Sequence, residues 1–122
     1  SKEQRIVAGK ALYNTTCFAC HQANGQGLPN VFPPLAKSDY LMEDINRAIS
    51  GVIFGQTGEM TVNGKTYNSV MTPQTLDDEG IANVLTFVLN SWGNEHAMIT
   101  PQKVAEVRAE GPLDNALGKQ QD

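Results

Sequence analysis

Charge is scarce in this chain: Asp, Glu, Lys and Arg make up 18% of its 122 residues, against about a quarter in an ordinary soluble domain. Aromatic residues are sparse too, at 7% with a single Trp, and the hydrophobic fraction of 40% is lean. Cysteine occurs twice, too seldom for a disulfide scaffold. No apolar run approaches the roughly 18 residues of a membrane-crossing helix, so the chain is expected not to span a membrane. The start lacks a basic segment followed by an apolar stretch, and Ser1 reads as a mature or trimmed N-terminus. The formal net charge is −4, whereas phosphate recognition needs a basic footprint, so a nucleic-acid partner is excluded. The length suits one average domain. Its core, however, is thin enough to need something more.

The charge is also unevenly spread. Residues 1–75 carry six Lys/Arg and five Asp/Glu, while residues 76–122 carry three and eight. Two stretches, 11–36 and 66–76, hold none of the four charged types.

Residues 3–14 read as an amphipathic helix whose apolar face combines Ile6, Leu12 and Tyr13 with the small Ala8 and Gly9. Gly9 costs about 1 kcal/mol there relative to Ala, which points to close approach of another backbone. Residues 24–34 hold Gly25, Gly27 and three prolines and must form an extended loop. A second helix is expected from a Ser38 or Asp39 cap, with Leu41, Ile45, Ala48, Ile49 and Val52 as its stripe and a stop near Gly51–Gly55. Met42 beside that stripe fills core. Asn63-Gly64, between the β-prone runs from Met60 to Tyr67, predicts a type I′ hairpin. Asp77 opens the clearest helix, with Ile81, Val84, Leu85, Val88, Leu89 and Trp92 in register and Gly93 as its end. Thr100-Pro101 starts a short helix through about Glu110, Gly111-Pro112 breaks it, and the polar end to Asp122 is expected to lack order.

Cys17-Phe18-Ala19-Cys20-His21 carries the chemistry. A Cys-x-x-Cys pair serves zinc, thiol–disulfide exchange or haem attachment. Zinc usually takes four protein ligands, and the chain adds only two histidines, one of them adjacent to Cys20. A thioredoxin-like pair follows a strand in a βαβ unit, whereas this one follows a helix. Histidine directly after the second cysteine selects haem: two thiols at this spacing can each add to one vinyl group of a porphyrin edge, with His21 placed to reach the iron. By chance, at this chain's Cys and His frequencies, the pattern arises on the order of once in two thousand such chains.

With those residues in place, the sequence resembles a class I cytochrome c domain over roughly residues 3–93. The resemblance implies an all-α fold, three to four helices around one covalent haem c with a small hairpin. The chain is expected to divide into a cytochrome domain at 1–99 and a C-terminal extension at 100–122 with a short helix and a polar tail. The resemblance also implies that the C-terminal helix crosses the N-terminal one at a Gly/aromatic contact, which Gly9, Tyr13 and the Leu85–Trp92 face could supply. The strings from Gly25 to Leu35 and from Val62 to Met71 are similar to a narrower group, the cytochrome domains fused to copper nitrite reductases and haem subunits of periplasmic dehydrogenases.

In that family the iron's sixth ligand is a Met in a loop near a Pro, which matches Met71 in Ser-Val-Met-Thr-Pro73. Met42, Met60, Met98 and His96 are the other candidates. The resemblance further gives His21 a proline carbonyl as its second partner, matching Pro33, with Pro34 as fallback and Leu35 packed on the ring. Tyr67 and Asn68 are candidates for a hydrogen bond near the Met71 sulfur. The implied function is electron transfer in the periplasm, with His21 and Met71 on the iron, to or from an oxidoreductase such as a copper nitrite reductase. The alternatives are a haem module of a larger enzyme, or a gas-binding or peroxidase-like protein if Met71 is labile. The two charge-free stretches should flank the haem edge and form a neutral docking patch.

Overall fold

Ser1 begins the fold as a cap. In the structure, a computed structural model that describes residues 1–117, its hydroxyl accepts from the Gln4 amide while the Gln4 side chain accepts from its amine. Helix α1 then runs Lys2–Thr16, and a second short helix, α2, covers Phe18–His21. Gly9 and Tyr13 are buried on α1, and Ile6 and Leu12 are partly buried. Ala8, expected on that face, is exposed, because the contact is narrow enough for the Gly9 and Tyr13 rows alone.

The second expected helix is two. Helix α3, Asp39–Glu43, is capped by Ser38, and α4, Ile45–Phe54, by Asp44. Asp44 sits in extended conformation (φ −144°, ψ 95°) and accepts from Arg47 N, so its preference for capping breaks the apolar stripe that Leu41 and Ile45 share. The hairpin forms as expected. Strands β1, Glu59–Val62, and β2, Lys65–Asn68, pair antiparallel with Met60 opposite Tyr67. Asn63 and Gly64 turn between them with φ of 52° and 80°, as a type I′ turn requires.

Helix α5, Asp78–Val88, starts at the Asp77 cap, which accepts from Gly80 N at 2.8 Å. It ends at Val88, five residues before Gly93. Asn90 and Ser91 turn their side chains back to the Thr86 and Phe87 carbonyls, and Trp92 takes a left-handed φ of 54°. The early end swings Trp92 onto Tyr13, 5.2 Å between ring centroids, and Phe87 completes the aromatic cluster. At the α1–α5 crossing a Cβ on Gly9 would sit 1.9 Å from the Asn83 carbonyl oxygen, so only glycine permits that approach. Helix α6, Pro101–Glu110, follows a Thr100 cap and buries Val104 and Val107 in the core shared with α4 and α5. Arg108 pairs with Asp78 at 2.9 Å, and the Asn115 carbonyl accepts from Thr57 N. The start of the tail, expected to lack order, is thus placed through residue 117, with Ala116 buried, because these contacts hold it; residues 118–122 lie outside the described residues. Four helices of ten or more residues, two short helices and one hairpin therefore build the described fold. Among the described residues no helix is long and apolar enough to cross a membrane.

Candidate functional site

Helix α1 stops at Cys17, and the next turn places Cys20 and His21 three and four residues on, along one helical face. All three open onto a single cavity of about 300 Å³, at the lower end of the ligand-site range. Pro33 and Leu35 line it from the loop that follows the motif. Tyr67 and Met71 line it from β2 and the loop beyond, and apolar side chains of α4 and α5, among them Val52, Val84 and Val88, form its floor. Seven of the residues singled out in the sequence thus meet at one place.

The loop carrying Pro33 is tied down along its length. Gly27 N donates to the His21 carbonyl, while Leu35 N and Ala36 N both donate to the Gly25 carbonyl. Trp92 Nε1 reaches the Ala23 carbonyl at 3.1 Å and Tyr13 hydroxyl the Gln22 carbonyl, so the α1–α5 crossing also holds the start of this loop. Ser69 donates to the Val31 carbonyl and links the two loops around the cavity.

His21 Nδ1 lies 3.0 Å from the Pro33 carbonyl oxygen. A carbonyl only accepts, so Nδ1 carries the proton and Nε2 keeps a lone pair. Burial pushes the imidazole pKa below its ordinary value, and the Pro33 bond opposes that shift. Burial likewise pushes the Cys17 thiol up, with Thr16 opposing and Cys20 adding. A thiol–disulfide exchange site needs a nucleophilic thiol shifted down, the opposite of the direction at Cys17.

Met71 is held by its backbone and by its side chain. Its N–H and C=O both pair with those of Gln56, at 2.8 and 2.9 Å, and Gln56 Nε2 lies 4.0 Å from its Sδ. The polar neighbour of the sulfur is therefore Gln56, not Tyr67 or Asn68. Tyr67 is buried on the cavity wall, while Asn68 at the strand end is exposed and off it, since alternate residues of a strand face opposite ways. Met60 shares the wall with Met71, but Met42, His96 and Met98 do not. The sequence reading missed Gln56, Tyr40 and Ser38 on this wall. Gln56 follows the glycine that ends α4, and no spacing rule pairs it with a residue 15 positions on. An imidazole with a free Nε2, a thioether, two thiols one helical turn apart and an apolar wall are a donor set that fits a covalently attached haem.

Comparison with known proteins agrees with that chemistry: the family model described as Cytochrome c matches residues 6–92. The chain belongs to the cytochrome c family, whose domain binds a covalently attached haem c and transfers electrons. It is 37% identical over 103 residues to cytochrome c-552 of Thermus thermophilus, spanning 76% of this chain and 79% of that protein. It is 30% identical over 113 residues to the fructose dehydrogenase cytochrome subunit of Gluconobacter japonicus, covering 88% of this chain but 23% of the subunit. The alcohol dehydrogenase (quinone) cytochrome c subunit of Gluconobacter oxydans is 28% identical, with 24% of its length covered. The match to the dehydrogenase subunits is thus confined to about a quarter of each.

Proposed function

We propose that this domain is a single-haem electron relay in which His21 and Met71 would hold the iron, serving an oxidoreductase in the periplasm. The observation that carries the reading is one cavity onto which the Cys17, Cys20 and His21 face, Pro33 and Met71 all converge. The haem, when bound, supplies one-electron chemistry by alternating between ferric and ferrous iron. The chain's residues do the rest. Cys17 and Cys20 hold the group; the Pro33 carbonyl fixes the ring of His21 and its tautomer; the Gln56 bridge fixes Met71. A ligand set that stays in place in both oxidation states leaves little to reorganise, which suits a carrier rather than a catalyst.

Relatives that are dehydrogenase cytochrome subunits favour a quinone-type dehydrogenase, and the strings at 25–35 and 62–71 favour a copper nitrite reductase. Either would meet a surface without charge. Phe18, Leu28, Val31 and Val70 are each 42–55% exposed and all lie in the two charge-free stretches. In this reading the domain is residues 1–99, and residues 100–122 are an extension whose helix α6 packs onto it. Absorption spectra of both oxidation states test the proposal. Low-spin c-haem bands with the weak sulfur–iron band, and no carbon monoxide uptake by the reduced protein at neutral pH, are expected. Rapid stoichiometric carbon monoxide binding would instead favour a gas-binding or peroxidase-like protein.

A further inference from the structure

Gln56 touches Met71 twice, and only one of the two contacts concerns the backbone. The main-chain bridge between them fixes the loop. The side-chain amide is held separately. Its Oε1 accepts from the Tyr40 hydroxyl at 2.9 Å, which leaves Nε2, with its two protons, turned to the Met71 Sδ. Tyr40 is itself fixed, with the Arg47 guanidinium 3.7 Å above its ring and donating to its carbonyl. Room for the amide comes from Gly51 on α4, where a Cβ would fall 2.2 Å from Nε2 and 2.8 Å from Cδ of Gln56. Three residues from two helices are thus arranged around one amide.

We propose that Gln56 sets how strongly Met71 donates to the iron, with Tyr40 and Gly51 as positioning residues that aim its amide at the sulfur. This inference rests on the His21/Met71 reading above and goes one step beyond it. An N–H directed at a thioether draws on the lone pair that faces the metal. The weaker donor costs ferric iron more than ferrous, so the hydrogen bond favours the reduced state and raises the reduction potential.

Equilibrium redox titration of the haem-loaded protein, with the sulfur–iron band recorded alongside, tests it. Gln56→Leu keeps the volume and the main-chain bridge and removes the donor. It is expected to shift the ferrous–ferric equilibrium roughly threefold to tenfold toward ferric, which is about 30–60 mV at 59 mV per decade. Gly51→Ala reaches the same end by a different route. Its methyl displaces only the far end of a flexible side chain, and Ala is the better helix former, so the potential should fall while the melting temperature holds. Tyr40→Phe should lower the potential less, and should add nothing in the Gln56→Leu background because Tyr40 acts through the amide. An intact sulfur–iron band with an unchanged potential in both Gln56→Leu and Gly51→Ala overturns the role of Gln56 alone. A wild-type protein without that band overturns the Met71 assignment, and this inference with it.

Discussion

The two sides of the cavity are built on different principles. On the His21 side the functional groups are neighbours in sequence: one helical turn lines up Cys17, Cys20 and His21, and a carbonyl 12 residues on fixes the ring. On the Met71 side nothing is local. The ligand candidate sits in a loop fastened to the end of α4 by a two-bond bridge to Gln56 and by Gln74 N donating to the Val52 carbonyl. One side is to be held covalently, the other by hydrogen bonds each contributing on the order of 1 kcal/mol. Tethering therefore belongs to the first side, and lability and tuning of the iron to the second.

Removing the tether should produce the largest effect. Replacing both Cys17 and Cys20 with Ala is expected to abolish covalent attachment, read as loss of haem stain from the chain on a denaturing gel. Since cofactor binding energy is also folding energy, the haem-free chain should show little cooperative unfolding by circular dichroism. A fully helical, cooperatively melting apoprotein would mean that the lean core suffices by itself. The next effect belongs to the other side. Met71→Ala should lose the sulfur–iron band and gain carbon monoxide binding in the reduced state. Met60→Leu, also on the wall, should change neither. The reverse outcome would exchange the roles of the two methionines.

This asymmetry is also why the site was only partly legible in the sequence. Cys17, Cys20 and His21 follow from a pentapeptide, and a caps-and-period reading located α1, the hairpin, α5 and α6. Pro33, Leu35 and Met71 came from family resemblance rather than from spacing, and the structure brings them to the same cavity. Gln56 and Tyr40 were invisible because their partners are 15 and 16 residues away, across the hairpin and across α4, and no single element's periodicity spans either pair. Local misreadings had local causes. Asp44 split a helix by capping it, and Asn90 and Ser91 ended α5 early by bonding back to their own turn.

The α1–α5 crossing reaches the Pro33 loop through Tyr13 and Trp92, but the Gly9 contact lies a helical turn away from Tyr13 and touches Asn83 and Phe87, so it should affect stability without affecting the iron. Gly9→Ala would drive a methyl into the Asn83 carbonyl, 1.9 Å away. Overpacking against backbone is expected to cost roughly 3 kcal/mol, lowering the melting temperature by about 10 °C at this chain length. The reduction potential should stay put. A potential that moved with stability would carry the strain at Gly9 on to the His21-side loop and blur the contrast between the two sides.

The smallest effect concerns the surface where the two loops meet. Val31 is 47% exposed in the first charge-free stretch, and its carbonyl, not its side chain, accepts from Ser69. A carboxylate there therefore changes the surface with little change to the loop. Electron self-exchange between oxidised and reduced protein brings two such surfaces together, so Val31→Glu opposes like charges at the point of closest approach. A slowing of about tenfold at low ionic strength is expected, recovering as salt screens the pair. Glu106→Lys on α6, in the acidic part of the chain, should change the rate less than about twofold, since a charge beyond the Debye length of the contact is screened. The wild-type rate should vary only weakly with salt, because steering requires charge near the contact and this face has none. A steep salt dependence in the wild type, or equal effects of the two variants, would place the electron's exit on the acidic part of the surface instead.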